Sequence, residues 1–397
     1  MVRAEQHHNA HVLDLRSLEE ARAALASLGL PAAQAEADSE KLQFRSVALE
    51  RVAPEALAAI RALAGRLGET PVVHERAGRA LLSGSLEALR RLAAQLPEHP
   101  PAAGLARELQ ACLREEHRPL RWGRRSLDFG RRIYVMGILN CTPDSFYPGS
   151  RLSGAETALE AARAMIVSGA DILDVGGEST RPGSDPVAIE EELARVIPVI
   201  TGIRRQSDVL LSIDTRKVEV AREALRAGAD IVNDVSALRG NRPLAELIAR
   251  SGVPVVLMHM RGEPKTMQAH PHYENTIAEI AAELRGSVDF AFEAGIEAGR
   301  IIIDPGIGFG KRVRDNLLII KRLRAFRSLG FPVMIGLSRK SFLGEVTGEP
   351  VEGRLAATVA GNALAMLNGA DIVRVHDVRE AVETARLVEA VREAEAG

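Results

Sequence analysis

From residue 133 onward the chain alternates short apolar runs with longer stretches of helical period. The first run, Ile133 to Leu139, stops at Asn140, Thr142, Pro143, Asp144 and Ser145. The design then recurs in Asp171-Ile-Leu-Asp-Val-Gly-Gly-Glu-Ser-Thr180, Val209-Leu-Leu-Ser-Ile-Asp-Thr215, Ala229-Asp-Ile-Val-Asn-Asp234 and Pro254-Val-Val-Leu-Met-His259. Ile301-Ile-Ile-Asp-Pro-Gly306, Val333-Met-Ile-Gly-Leu-Ser-Arg-Lys340 and Asp371-Ile-Val-Arg-Val-His376 complete it. Runs this short and this apolar read as strands buried on both faces. All eight carry their polar residues at the C-terminal end.

Between the runs, residues such as Ala155 to Ser168, Ile189 to Gln206, Lys217 to Ala227, Thr276 to Ala294, Asp315 to Ser328 and Glu352 to Leu367 have helical spacing. Gly169-Ala-Asp171, Gly228-Ala-Asp230 and Gly369-Ala-Asp371 each close a helix with glycine and open the next strand. The pattern predicts a parallel sheet of βα units, and eight units over residues 118–397 match an α/β fold of the closed (β/α)8 TIM barrel type. An open doubly wound sheet is the rival, but the first strand ends in Asn140-Cys-Thr-Pro, with no G-x-G-x-x-G fingerprint.

Residues 1–117 lack this rhythm. Ser17 to Leu28 reads as a helix with Ser17 as cap, Phe44 to Glu50 as a strand, and Pro54 to Leu67 as an amphipathic helix. Val72-Val73 with Arg79 to Leu82 suggests a hairpin, and Ser85 to Leu96 and Gly104 to Glu116 suggest two more helices. The region is expected to be a small α+β N-terminal domain without catalytic motifs, structural or interacting in role.

Composition changes this picture little. Of 397 residues 46% are hydrophobic, 26% charged and 3% aromatic, so an aliphatic globular core is expected. A net charge of −2 offers no field for nucleic acid or an anionic membrane. Arg118, Arg121, Arg124, Arg125, Arg131 and Arg132, with Trp122 among them, read as a solvated turn before the barrel. Two cysteines, Cys112 and Cys141, give no disulfide framework. The N-terminus is no signal peptide and no run reaches membrane-spanning length, so a cytoplasmic protein is expected.

The strand-end polar set is Asn140, Asp174, Asp214, Asn233, Asp234, His259, Asp304, Lys340, Arg374 and His376. One such residue could be a cap; eight strands doing so together indicate a shared polar mouth at the end where barrels of this kind build active sites. Asp214, Asn233 and Asp304 suit the N–H and amino groups of a flat, nitrogen-rich heterocycle. Arg374 and His376 alternate on one strand and, with Asn140, suit a phosphate or pyrophosphate. Lys340 could bridge two substrates. No zinc spacing occurs in the barrel; a Mg2+ carried by pyrophosphate, with Asn140 as its one protein ligand, fits better. Cys141 to Ser153 and Gly176 to Val187 are long loops able to close over a substrate. Asp304-Pro-Gly-Ile-Gly-Phe-Gly310 lacks the G-K-[ST] of a P-loop, and its glycines are expected to let backbone approach a flat ligand.

Taken in order, the motifs resemble the dihydropteroate synthase family. The resemblance runs from about Leu120 to Val378. It is carried by Met136-Gly-Ile-Leu-Asn140 with Thr142-Pro-Asp-Ser-Phe146, Asp174-Val-Gly-Gly-Glu-Ser-Thr-Arg-Pro-Gly183, Ser212-Ile-Asp-Thr215 and Ile231-Val-Asn-Asp234. Met258-His-Met-Arg-Gly262 with Pro264-Lys-Thr-Met-Gln268, Asp304-Pro-Gly-Ile-Gly-Phe-Gly-Lys311, Ser338-Arg-Lys-Ser341 and Arg374-Val-His376 complete the set. It implies a transferase that joins p-aminobenzoate to 6-hydroxymethyl-7,8-dihydropterin pyrophosphate in folate biosynthesis, with Mg2+ as cofactor and sulfonamides as inhibitors. By position it implies a pterin pocket of Asp214, Asn233, Asp304 and Lys340, and a pyrophosphate and metal site of Asn140, Arg374 and His376. Phe146, Thr180, Arg181, Pro182 and Ser341, with Lys340, would meet p-aminobenzoate. Asp214, Lys340, Arg374 and His376 would carry the catalysis, and a homodimer is expected. The chain departs from the family at Tyr147-Pro-Gly-Ser150, where much of the family has Ser-Asp-Gly-Gly, and at Cys141 for the usual Val. Two other readings remain open: a corrinoid/folate methyltransferase on the same barrel, and a non-catalytic pterin-binding paralogue.

Overall fold

The computed structural model describes residues 17–50, 52–67, 72–76, 78–113, 119–130, 132–141, 151–179, 186–262 and 267–394. The chain divides into two compact units, Met1–Glu115 with Glu393–Gly397 and Glu116–Arg392.

The smaller unit is built on an antiparallel sheet of β1 (Phe44–Leu49), β2 (Val72–Arg76) and β3 (Arg79–Ser85), in the order β1-β3-β2. Five helices accompany it: Leu18–Ser27, Ala32–Leu42, Pro54–Ala64, Leu86–Gln95 and Ala103–Cys112. Ser17 and Ser85 cap the first and fourth, accepting from the amides of Glu20 and Ala88 at 3.1 Å each. Ile60, Leu82, Leu86, Leu89, Leu92 and Leu109 form the fully buried centre. The helix Ala32–Leu42 was not foreseen, because its repeating apolar residue is alanine and gives little periodic signal.

In the larger unit, β4 (Leu120–Trp122) and β5 (Arg125–Leu127) form a hairpin where a solvated turn was expected. Leu120, Trp122 and Leu127 turn inward and pack with Ile172, Ile231 and Val256, plugging one end of the barrel, while the intervening Arg121 faces out. The barrel strands follow in chain order: β6 (Tyr134–Asn140), β7 (Ile172–Gly176), β8 (Leu210–Asp214), β9 (Ile231–Asp234), β10 (Val255–Met258), β11 (Ile301–Asp304), β12 (Met334–Ile335) and β13 (Ile372–Val375). They form one parallel eight-stranded sheet in the order β11-β10-β9-β8-β7-β6-β13-β12. A parallel bridge between Ile303 and Val333, with the Ile303 amide donating to Pro332 O at 3.0 Å, joins the two ends and closes the (β/α)8 barrel. Gly228 ends the helix Val218–Ala227 in the left-handed region (φ 110°), a conformation open to glycine at little cost. Among the described residues, no helix is long and apolar enough to cross a membrane.

The barrel strands β6 to β13 are buried on both faces, but the two faces differ. Met136, Ile172, Val256, Ile302, Met334 and Ile372 fill the barrel interior. The alternate residues, such as Leu173, Ile213, Val232, Leu257, Ile303 and Val373, pack against the surrounding helices. Counting on by two from the interior layer brings Asn140, Asp174, Asp214, Asn233, Asp304, Arg374 and His376 to the inner rim.

Candidate active site

The rim residues form one connected set. Arg374, on β13, donates from Nη2 to Oδ2 of Asp214 at 2.7 Å and from Nε to Oδ2 of Asp174 at 2.6 Å. Asn233 Nδ2 donates to that same Asp174 oxygen at 2.9 Å. Burial pushes the Asp214 carboxyl up to about 7, against the pull of the Arg374 guanidinium; nearby Asp174 pushes in the same upward direction.

Asp304 ends β11 and accepts from the amide of Gly306 at 2.7 Å; burial raises its pKa, while Lys340 pulls it back. Lys340 donates to Ile307 O and stands 4.7 Å from the centroid of the Phe309 ring. Burial lowers its ammonium to about 8, opposed by Asp304 and helped by Arg374. Ser341 opens the helix Ser341–Thr347 next to it. His376 Nδ1 lies 3.0 Å from Ser338 Oγ, which also accepts from the His376 amide at 3.2 Å. Asn140, half-buried, ends β6 opposite Gly176. Phe146, Thr180, Arg181 and Pro182 lie outside the described residues, as do Tyr147 and Pro148.

Two members of the sequence-derived polar set do not belong to the mouth. Asp234 is on the outer face, where its carboxylate accepts from the Ser236 amide (2.8 Å), the Ser236 hydroxyl (2.6 Å) and the Leu238 amide (2.7 Å). It thereby holds a turn in which Ala237 and Leu238 have positive φ. His259 also points outward: Nε2 lies 3.1 Å from Glu283 Oε2 on the helix Thr276–Glu293, and Nδ1 lies 2.9 Å from Lys311 Nζ. Burial lowers the ring's pKa to about 4, so it is neutral and donates to Glu283.

Two of the glycines after Asp304 have a packing role within the fold itself. A Cβ on Gly306 would stand 1.9 Å from His259 O, and one on Gly310 2.1 Å from Arg261 O. These two positions seat the loop on the backbone that follows β10; Gly308, by contrast, lies against the Lys340 side chain.

Sequence reading missed two lysines. Lys311 is buried and donates to Phe309 O (3.0 Å) besides meeting His259, tying the glycine loop down from below. Lys217 donates to Glu178, to the buried Glu192 and to Val187 O, and Glu178 accepts from the Val187 amide at 3.1 Å. Glu178 and Val187 are thus pinned together. Neither set of contacts leaves a local signal, since the side-chain partners are 25 to 52 positions apart.

Residues 136–376 match the family model described as pterin binding enzyme. A dihydropteroate synthase of Synechocystis is 43% identical over 274 residues, which are 69% of this chain and 95% of that protein. The chain belongs to the dihydropteroate synthase family. Solved members of the family share the barrel. The Xanthomonas albilineans dihydropteroate synthase with 4-aminobenzoic acid superimposes with a TM-score of 0.65 at 44% identity, covering 70% of this chain and 98% of that one. The same organism's enzyme in complex with 7,8-dihydropteroate gives 0.62 at 42% identity, covering 69% and 99%. The smaller N-terminal unit lies outside the family match.

Proposed function

We propose that the barrel condenses 6-hydroxymethyl-7,8-dihydropterin pyrophosphate with p-aminobenzoate, releasing pyrophosphate, and that the inner rim carries the reaction. The chain is a transferase of folate biosynthesis. The carrying observation is the 2.7 Å contact that puts Arg374 and Asp214 in one mouth. A site for this reaction needs acceptors for a heterocycle and cations for a polyanionic leaving group side by side. Asp214, Asn233 and Asp304 are the acceptors, Lys340 stands at their edge, and Arg374 with His376 forms the anion end. As the C–O bond to pyrophosphate breaks, positive charge develops on the pterin methylene. Asp214 stabilises it, while Arg374 and His376 stabilise the departing oxygens. The arylamine then needs position more than a strong base; Phe146, Thr180, Arg181, Pro182 and Ser341 are assigned to hold it.

Among the described residues no cluster of three His, Cys, Asp or Glu could cage a metal. Asn140 offers one neutral amide at the anion end, and its carbonyl oxygen would hold a Mg2+ that arrives on the pyrophosphate. When bound, the cation neutralises leaving-group charge. A homodimer is proposed through the face of the helix Leu355–Leu367, supported by exposed Leu364 and Leu367 with Val346 and Val351 nearby in sequence. The cytoplasm is the proposed compartment, in keeping with only two cysteines.

The test is pyrophosphate release by the full-length protein. Release that requires both p-aminobenzoate and the pterin pyrophosphate is expected. Tight pterin binding without release would instead support a non-catalytic paralogue. Methyl transfer to a corrinoid, without pyrophosphate release, would support the methyltransferase reading. Light scattering at micromolar concentration reads the dimer.

A further inference from the structure

Asp174 lies on the inner face of β7 with a relative exposure of 0%. Its Oδ2 accepts from both Asn233 Nδ2 and Arg374 Nε. Its Oδ1 and the Oδ1 of Asn233 are buried, and neither has a hydrogen-bond partner. A carboxylate only accepts. Asn233 must therefore turn its amide nitrogen to Asp174, which leaves its carbonyl oxygen as the group free to read a ligand. An unsatisfied buried acceptor is costly, so a donor is wanted there. On the other side, Nε and Nη2 of Arg374 are taken by Asp174 and Asp214, and Nη1 is left for an anion.

We infer that Asp174 is a positioning residue for the transferase reaction: it fixes Asn233 as an acceptor for a ring N–H or amino group and holds Arg374 by its Nε. One carboxylate oxygen thus sets the orientation of the groups that read the two ends of the pterin pyrophosphate. The inference rests on the proposed reaction and extends it. It also gives Asn233 a selectivity: a heterocycle presenting an acceptor at that edge would face lone pairs and bind poorly.

The experiment varies each substrate separately with full-length Asp174→Asn, an isosteric change that puts a second amide opposite Asn233. The KM for pterin pyrophosphate should rise about tenfold or more, the loss expected for a hydrogen bond to a charged group. The KM for p-aminobenzoate should stay within about twofold of the parent, since only the pterin end is disturbed. The exchange Asp174→Asn/Asn233→Asp restores a donor facing an acceptor between the two side chains and again turns an oxygen to the pocket, although the amide then at position 174 meets Arg374 Nε donor to donor. It should recover part of the lost pterin KM. Parent-like kinetics in Asp174→Asn, an equal rise in both KM values, or an exchange variant no better than the single one would overturn the assignment. If the single variant does not fold, the exchange decides alone. A folded exchange that uses pterin pyrophosphate supports the inference; one that is unfolded, or folded without pterin use, overturns it. Absence of pyrophosphate release in the parent protein would count against the reaction itself, a separate outcome.

Discussion

Arg374 Nη2 donates to Asp214 Oδ2 at 2.7 Å, so the guanidinium assigned to the leaving group is also the counter-ion of the carboxylate assigned to the pterin cation. The two roles are coupled. As pyrophosphate draws on Arg374, Asp214 loses part of its compensation while positive charge grows on the ring. Removing the arginine should therefore remove leaving-group stabilisation and raise the Asp214 pKa together. Arg374→Met is expected to lower kcat/KM for pterin pyrophosphate by about 10²–10³, the size found for single electrostatic donors. Arg374→Lys should recover only part, because a point charge cannot engage Asp174 and Asp214 through separate nitrogens. Asp214→Asn should lose most turnover with the fold intact by circular dichroism; near-parent turnover would refute its role.

The pH dependence of kcat/KM reports groups of the free enzyme. Asp214, pushed up to about 7 by burial, must be ionised to stabilise a cation, so activity should rise as pH climbs through 7. Lys340, pushed down to about 8, must be protonated to donate, so activity should fall above 8. A narrow bell is expected. In Arg374→Lys the acid limb tests the first assignment: if the looser contact weakens the ion pair, that limb moves up. A profile flat from pH 6 to 9 would contradict both assignments.

Gly306 has φ 68°, and a side chain there would meet His259 O at 1.9 Å. The neighbour is backbone and cannot swing aside. Gly306→Ala should destabilise the protein by about 3 kcal/mol or more, combining positive φ with a steric clash. It should also weaken pterin use, since Asp304 accepts from the Gly306 amide and Lys340 donates to Ile307 O. Urea unfolding and the pterin KM measure the two effects. Gly330→Ala, also at positive φ (87°) but with open space around its Cβ position, is the control and should cost only the backbone strain.

The barrel was legible because each strand announces itself twice, by an apolar run and by the polar residue that ends it. The limit of that signal is parity. A parallel strand buried on both faces shows no alternation, so Asp234 and His259 read as members of the mouth although they face the helices. Asp214 and Arg374 could be named from sequence; that Asp174 binds both Arg374 and Asn233 could not, because the three residues come from β7, β9 and β13. The hairpin under the barrel was hidden for another reason. Five arginines in Arg121 to Arg132 outweighed the buried triplet Leu120, Trp122 and Leu127 that does the packing.

His259 sets a last expectation, for acid stability. In the folded protein its buried ring stays neutral down to about 4, although Glu283 favours the charged form. In the unfolded chain it takes up a proton near the ordinary value of about 6.5. Between those values the unfolded state binds more protons, so the stability associated with a neutral His259 is complete above 6.5 and is lost as pH falls toward 4. The whole difference is about 3 kcal/mol. The Glu283 carboxyl is held down at about 2, first by its bond to His259, so its own contribution goes only at lower pH. Urea midpoints measured from pH 7.5 to 5 should fall steadily in the parent protein. In His259→Gln, where the amide can meet both Glu283 and Lys311 without titrating, the decline over that range should be smaller by one to two kcal/mol, roughly the part of the shift lying above pH 5. Parallel pH curves for the two proteins would show that the His259 ring titrates alike in the folded and unfolded chain, against a buried ring held neutral.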